Sequence, residues 1–192
     1  MCIAIVIPPH TVVPDEVMQL AAKRNRNGCG FAFVNSVAKS SARTVVIKRW
    51  ATSEGEDLDN MMSSYKRILK KTPAADYHVL MHFRIATAGT VIKDNAHPFP
   101  IRHGALIHNG TLFHPVGGVN APRSDTRIFA EAYEDKLTPE FVQLCKPDLE
   151  RAIDRWNKIA MMWNDGTVQV LNESAWVRDA ATGILYSHSG YK

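Results

Sequence analysis

Cys2 is the residue with the clearest potential for chemistry, because it directly follows Met1. Removal of Met1 would leave Cys2 with a free α-amino group beside its thiol. An α-amine has an ordinary pKa of about 8, so it can accept the thiol proton near neutral pH while the sulfur attacks a carbonyl carbon. This pairing predicts a nucleophile that carries its own base, whereas a buried cysteine in a first strand is the structural alternative.

Four short polar motifs accompany this cysteine. They are Asn25–Gly30 (NRNGCG), Met81–Gly89 (MHFRIATAG), the pair Asn95–Phe99 (NAHPF) and Ile107–Leu112 (IHNGTL), and Ser124–Thr126 (SDT). Amide hydrolysis requires preorganised donors for an oxyanion. Asn109 and Gly110 offer a side-chain amide beside a backbone N–H that a ligand can approach closely, because glycine has no Cβ. The same dipeptide is a strong hairpin-turn signal, and the two interpretations are compatible.

Arg84 and Asp125 have the chemistry to bind an amino acid. The guanidinium of Arg84 offers a fork of donors that matches an α-carboxylate. The carboxylate of Asp125 can accept hydrogen bonds from an α-ammonium group. Two plainer interpretations stay open: Arg84 is a surface cation at a strand end, and Ser124 or Asp125 is the N-cap of the helix that follows.

In this order, the motifs resemble those of class II glutamine amidotransferases, the N-terminal-cysteine branch of the Ntn hydrolases. The resemblance runs from Cys2 to about Ala130, with a looser match of the C-terminal strands. It implies a single domain over residues 1–192 with an α+β fold, a four-layer αββα sandwich with two mainly antiparallel sheets. It also implies that glutamine and water become glutamate and ammonia through a γ-glutamyl thioester on Cys2, with no cofactor.

The resemblance also implies a role for each motif residue. Cys2 is the nucleophile with its own α-amine as general base, and Asn109 with the N–H of Gly110 forms the oxyanion hole. The residues implied to bind glutamine are Arg84 at the α-carboxylate, Thr87 beside it, Asp125 at the α-ammonium, and His97 and Gly28 in the pocket wall. Two positions depart from the family pattern: Asn27 replaces the usual Asp, and Cys29 replaces an aromatic residue. Cys29 is a hypothetical oxidation partner of Cys2.

Ammonia made by such a domain is normally delivered to an acceptor site, and the implied domain uses the whole chain. We therefore expect a glutaminase-type subunit that supplies ammonia to a separate acceptor synthase. One alternative is an Ntn amidohydrolase that acts on another small amide, for which Asn27 and Cys29 are the support. A second alternative is a non-catalytic binding module with the same fold.

The composition is ordinary for a globular protein, with 45% hydrophobic and 22% charged residues. The net charge is +4, but the basic residues are too scattered for a nucleic-acid footprint. The apolar run Cys2–Ile7 is too short to span a membrane. Three cysteines without regular spacing favour a reducing cytoplasm over a disulfide framework.

A cluster of histidines raises the question of a metal site. Its members are His82, His97, His103, His108 and His114. Proline and glycine interrupt the segments between them, and no acidic or cysteine partner stands at ligand spacing. The sequence therefore predicts no metal site.

Apolar periodicity predicts the order of strands and helices. The predicted strands are Cys2–Ile7, Phe31–Ser36, Thr44–Trp50, Tyr77–Arg84, Ala105–His108, Lys158–Trp163, Val168–Asn172, Ala175–Val177 and Ile184–Ser187. The predicted helices are Asp15–Arg24, Asp57–Lys71, Asp125–Tyr133, Pro139–Leu144 and Pro147–Trp156, and Asn25–Gly30 is predicted as a turn. Strand pairs come first, helices occupy the middle and strands return at the end, which fits one domain of two sheets covered by helices.

Overall fold

The structure is a computed structural model that describes residues 1–36, 43–71 and 76–191. Its strands are β1 (Ile3–Ile7), β2 (Cys29–Ser36), β3 (Arg43–Trp50), β4 (Val79–Phe83), β5 (Phe99–Ile101), β6 (Gly104–Asn109), β7 (Lys158–Trp163), β8 (Val168–Leu171), β9 (Val177–Arg178) and β10 (Leu185–Tyr186). Its α-helices are α1 (Asp15–Arg24), α2 (Gly55–Lys71), α3 (Asp125–Tyr133) and α4 (Pro139–Ile153). Most of the polar loop predicted between the second and third strands lies outside the described residues.

The strands form two antiparallel sheets. The first sheet has the order β3-β2-β4-β1-β10-β9, and the second has the order β5-β6-β7-β8. Within the first sheet, β1 lies between β4 and β10, with Ile3 opposite Phe83 and Ile5 opposite Tyr186. The first strand of the chain is therefore an interior strand, which holds the residue before it firmly at the rim of the sheet.

One face of the first sheet is covered by α1 and α2. Because side chains alternate along a strand, Ile3, Ile5 and Ile7 of β1 all point to this side, where they join a cluster with Met18 and Tyr65. All five residues are almost fully buried. Each large apolar side chain buried in this way stabilises the fold by about 1.5–3 kcal/mol.

The other face of the first sheet packs against the second sheet. Ala4 and Val6 of β1 belong to a cluster with Ala105 and Ile107 of β6 and Ala160 of β7. Alanine on both sheets permits close approach of the two backbones. The sheets therefore share one apolar layer, and the ends of that layer are the places where polar side chains can meet.

The outer face of the second sheet is covered by helix α4, together with residues of α3. Leu106 of β6 and Met161 of β7 point to this side and pack with Val142 and Ile153. These two antiparallel sheets and four helices confirm the predicted α+β class, and the arrangement is compatible with a sandwich. No helix within the described ranges is both long enough and apolar enough to cross a membrane.

The prediction of two helices at Pro139–Leu144 and Pro147–Trp156 is wrong. The structure has the single helix α4, with Pro147 inside it. A proline removes one backbone N–H donor and disfavours a helix interior. Here Pro147 lies on the exposed side, while Val142 and Ile153 keep one apolar face against the second sheet. That packing holds the helix together across the proline.

Three further differences concern strands and turns. β5 was not predicted, and it pairs with β6 across a tight connection. The predicted strand Ala175–Val177 overlaps the short strand β9 only at Val177, because a 3-10 turn at Glu173–Ala175 precedes that strand. The last two residues of the predicted turn Asn25–Gly30, Cys29 and Gly30, belong to strand β2. A Cβ on Gly30 would collide with the backbone oxygen of His97, so glycine serves a close approach within this strand.

Candidate active site

Strand register brings Cys2 and Arg84 to the same rim of the first sheet. Cys2 precedes Ile3, and Arg84 follows Phe83, the residue paired with Ile3. Cys2 is two residues before Ala4, which faces the second sheet, so alternation along the strand directs the Cys2 side chain to the same side. The predicted nucleophile therefore lies at the mouth of the gap between the sheets.

The second sheet brings Asn109 and Lys158 to this mouth. Asn109 ends β6 and pairs with Lys158, which begins β7. Side chains of directly paired residues share a face, and this face points to the first sheet because Ile107 does so. Asn109 Nδ2 donates to Ser187 Oγ at 2.9 Å, and the backbone N–H of Ala4 donates to the same oxygen at 3.0 Å. Ser187 thus links Asn109 to strand β1.

A cavity of about 400 Å³ opens at this mouth. The predicted site residues in its lining are Cys2, Thr87, Asn109 and Gly110. The other lining residues are Met1, Thr111, Asp154, Trp156, Asn157 and Lys158. The predicted site residues that do not line it are Arg84, Asp125, His97 and Gly28. The structure therefore brings the predicted nucleophile and both predicted oxyanion donors into one pocket.

The thiol of Cys2 contacts both the carbonyl oxygen and the N–H of a single residue, Ile85. Its Sγ lies 3.4 Å from the carbonyl oxygen of Ile85, to which the thiol donates, and 3.4 Å from the N–H of Ile85, from which the sulfur accepts. Burial raises the pKa of the Cys2 thiol, and the N–H of Ile85 and the charge of Arg84 offset only part of that effect. The sulfur is therefore protonated at neutral pH, and its attack requires a base.

His188 holds the main chain of Cys2. The ring accepts a hydrogen bond from the N–H of Gly190 at Nδ1, 2.9 Å away, so Nε2 carries the proton and donates to the carbonyl oxygen of Cys2 at 2.9 Å. Burial lowers the pKa of His188, which keeps the ring neutral and this tautomer in place. His188 was not among the predicted site residues, and no motif surrounds it.

Gly110 occupies a position that only glycine fits. Its φ is +145°, and a Cβ there would collide with Asn157 Oδ1. That oxygen is not free to move away, because it lies 2.8 Å from Nε2 of the buried His108. The conformation leaves the backbone of Gly110 open to the pocket.

We therefore expect Gly110→Ala to destabilise the fold by about 1–3 kcal/mol and to disturb the pocket at the same time. Thermal unfolding would show the loss of stability. Gly55→Ala is the matched control, since Gly55 also has a positive φ, +51°, but a Cβ there would meet nothing within 4 Å. Equal losses in the two variants would contradict the role of the collision.

The guanidinium of Arg84 is engaged by the protein itself. Nη2 donates to the carbonyl oxygens of Ala88 and Gly89 at 2.6 and 2.7 Å. Nη1 donates to those of Thr90 and Asn27 at 3.2 and 3.3 Å. Arg84 is only 2% exposed, so it is not a surface cation. In this structure it fixes the loop that follows β4.

Asp125 is likewise engaged. Its Oδ2 accepts from the N–H of Leu112 at 2.9 Å, and its Oδ1 accepts from the N–H of Thr126 at 2.7 Å. The N-cap of α3 is Ser124, whose Oγ accepts from the N–H of Arg127 at 3.2 Å. The capping alternative therefore belongs to Ser124, and Asp125 fixes the loop that follows β6.

His82, His97 and His108 form a buried group. The rings of His82 and His97 stack with centroids 3.9 Å apart, and His82 Nε2 lies 3.0 Å from the carbonyl oxygen of His108. Burial lowers the pKa of all three, that of His82 to about 3, so the rings are neutral. Across the described ranges, no group of three or more His, Cys, Asp or Glu residues is arranged to hold a metal ion.

The two departures from the family pattern have different surroundings. Asn27 Oδ1 accepts from the N–H of Ala86 at 3.0 Å, so its side chain braces the segment after β4. Cys29 lies in the cluster beneath α1 and α2, and its thiol donates to the carbonyl oxygen of Thr52 at 3.2 Å. Because Cys2 faces the second sheet, the two cysteines point to opposite faces, and this geometry does not favour Cys29 as an oxidation partner.

Comparison with known proteins adds no family assignment. No protein-family model matches the chain, and no curated protein matches it either. The function must therefore be inferred from the chemistry of the pocket.

Proposed function

We propose that the chain is an N-terminal-cysteine amidohydrolase that releases ammonia from L-glutamine, in the manner of a class II glutamine amidotransferase. One observation carries this proposal: Cys2 and the Asn109–Gly110 pair arrive from different sheets and line the same pocket. A nucleophile and two oxyanion donors are the minimum for acyl transfer from an amide. The helices on the outer faces of two stacked sheets support the finer assignment, a four-layer αββα Ntn hydrolase sandwich.

The proposed reaction requires prior hydrolysis of the Met1–Cys2 peptide bond, in which water releases methionine and frees the α-amine of Cys2. The amine accepts the thiol proton while the sulfur attacks the side-chain amide carbon of glutamine. Nδ2 of Asn109 has a second hydrogen beyond the one given to Ser187, and with the N–H of Gly110 it binds the oxyanion. The α-ammonium then returns the proton to the leaving nitrogen, and ammonia departs.

A thioester between Cys2 and the γ-carbonyl of the substrate remains after ammonia leaves. Water, deprotonated by the same α-amine, attacks that carbonyl. The oxyanion forms again in the hole of Asn109 and Gly110, and its collapse expels the sulfur, which regains its proton. The products are glutamate and free enzyme. Ammonia would then pass to a separate acceptor synthase, and a reducing cytoplasm fits the proposal because the thiol must stay reduced.

A second candidate function has an observation in its favour. Arg84 and Asp125 were predicted to hold the α-carboxylate and α-ammonium of glutamine, yet both are engaged by backbone groups of the protein. An amidohydrolase for another small amide would not need them as ligands. Among the predicted substrate-binding residues, Thr87 does line the pocket.

A substrate panel separates the two candidates. Ammonia release from L-glutamine, L-asparagine, γ-glutamyl peptides and simple aliphatic amides would be compared at equal concentrations. Glutamine as the best substrate supports the amidotransferase-type function, and a better non-amino-acid amide supports the second candidate. If no amide is hydrolysed by the protein lacking Met1, the non-catalytic binding module takes their place.

The pH dependence reports the identity of the base. An α-amine accepts a proton only when it is neutral, so we expect kcat/KM to rise with pH through an apparent pKa of about 7–8 and to be lost below it. The raised pKa of the Cys2 thiol means that a preformed thiolate does not supply this activity at neutral pH. The pKa of His188 is lowered, so its ring stays neutral across this pH range and adds no second ionisation to the pH profile of kcat/KM. A flat profile between about pH 6 and 9 would exclude the α-amine as the base.

A further inference from the structure

We propose that Lys158 binds the carboxylate of the amide substrate in the pocket of Cys2. This inference rests on the proposed function and names a specificity-determining residue for it. Lys158 does not lie in any of the sequence motifs and was not among the predicted site residues. Four observations support its role.

The first observation is strand register. Lys158 is the direct partner of Asn109 across β6 and β7, and both side chains share the face that points to the first sheet. The Cβ atoms of such partners lie about 4.5–5.5 Å apart. In glutamine, two methylene groups and the α-carbon separate the side-chain amide carbon from the α-carboxylate. A substrate amide in the oxyanion hole of Asn109 therefore places its carboxylate within reach of a lysine on the neighbouring strand.

The second observation is the charge of the pocket. Among the described residues that line it, Lys158 is the only lysine or arginine, and Asp154 is the only carboxylate. The pocket thus offers one charge of each sign, which matches the zwitterionic end of an amino acid. The two are not paired: no carboxylate within the described part of the chain lies at ion-pair distance from Lys158 Nζ. Among the described residues, the one hydrogen bond of Lys158 Nζ is a long one, 3.4 Å to the carbonyl oxygen of Trp156.

The third observation is partial burial of this ammonium group. Burial lowers the pKa of Lys158, which means that the cation has lost part of its hydration, and among the described residues it has gained no carboxylate in exchange. A carboxylate ligand would supply one, and hydrogen bonds between ionised groups are stronger than neutral ones. A partly buried lysine that has no ion-pair partner among the described residues is therefore available to an anionic group of the ligand.

The fourth observation is that Arg84, the other candidate for binding the carboxylate, already makes hydrogen bonds within the protein. Both terminal nitrogens of Arg84 donate to backbone carbonyls, and Arg84 does not line the pocket. A two-pronged hydrogen bond from Arg84 to a carboxylate would use at least one of these terminal nitrogens, so the loop would have to give up a carbonyl contact. Lys158 requires no such rearrangement.

The test compares glutamine with 4-aminobutanamide, which keeps the amide and the amine but lacks the carboxylate. We expect Lys158→Met to raise KM for glutamine by about 10- to 100-fold, the effect of losing a charge-assisted hydrogen bond, with kcat largely retained. KM for 4-aminobutanamide should not change. Lys158→Arg keeps the cation and should retain most of the affinity for glutamine. Lys23→Met, at an exposed lysine of α1, is the matched control and should change neither value.

Three results would overturn the role of Lys158 while leaving the hydrolase intact: an unchanged KM for glutamine in Lys158→Met, an equal rise in KM for both amides, or no preference of the wild-type protein for glutamine. Lys158→Gln replaces Lys158→Met if the latter does not fold. Failure of the proposed function looks different, because the wild-type protein without Met1 would hydrolyse neither amide, and the inference about Lys158 would fall with it.

Discussion

Cys2→Ala is expected to lower kcat for glutamine hydrolysis by about 10⁴–10⁶-fold, the usual effect of removing a catalytic nucleophile. No other thiol can replace it within the described chain. Cys29 faces α1 and α2 on the far side of the first sheet, and Cys145 belongs to helix α4. Ammonia release under steady-state conditions, with glutamine well above KM, is the measurement.

The matched control is Cys145→Ala, because Cys145 is also a free cysteine but does not line the pocket. We expect that variant to keep the wild-type kcat. Thermal unfolding should show that Cys2→Ala remains folded, since the substitution at the rim removes one sulfur and leaves the apolar layers intact. Hydrolysis that survives in Cys2→Ala would remove Cys2 from the mechanism.

Asn109→Ala is expected to lower kcat by about 10²–10³-fold with little change in KM. An oxyanion donor acts on charge that develops in the transition state, so its loss affects the chemical step rather than substrate binding. Asn109 is well placed for this, because the bond from its Nδ2 to Ser187 fixes the amide at the mouth of the two sheets. Steady-state kinetics with glutamine would separate the effects on kcat and KM.

Asn120→Ala is the control for this variant, since Asn120 is exposed in a short 3-10 turn away from the pocket lining. Its kcat should equal that of the wild-type protein. If Asn109→Ala retains the wild-type kcat while staying folded, Asn109 does not belong to the oxyanion hole. A rise in KM without a fall in kcat would instead make it a substrate-binding residue.

Much of the fold was predictable from local patterns. The β-branched run after Cys2, the apolar run in Lys158–Trp163 and the amphipathic helix that ends at Lys71 are local patterns that tertiary packing preserves. Cys2 and the Asn109–Gly110 pair could be proposed from the sequence because their residue types suit amide hydrolysis, and the structure places all three in one pocket. The structure brings these residues together through the register of β1 and β6.

The remainder of the site depended on information that sequence does not carry. The contact of His188 with Cys2 and the proposed role of Lys158 both depend on which strands are neighbours, and neither residue lies in a motif. The engagement of Arg84 and Asp125 arises from backbone carbonyls and N–H groups, which every residue possesses and which no residue type signals. In this structure, the carboxylate of Asp125 therefore supports the loop after β6.

Helix α4 illustrates the same limit in the fold itself. Two prolines with helical stretches after them indicated two helix starts, because proline favours the first turn of a helix. Only the first, Pro139, occupies that place. The apolar face of the helix packs on the second sheet, and this tertiary contact outweighs the local cost of Pro147 in the helix interior.

The most direct test is the intact mass of the protein before and after exposure to a glutamine-mimicking diazoketone, with Cys2→Ala treated in parallel. We predict a starting mass that lacks Met1, a single adduct that is absent from Cys2→Ala, and protection of the wild-type protein by excess glutamine. A mass that retains Met1, with no adduct that depends on Cys2, would contradict the mechanism, because the α-amine base and the reactive thiol would both be missing.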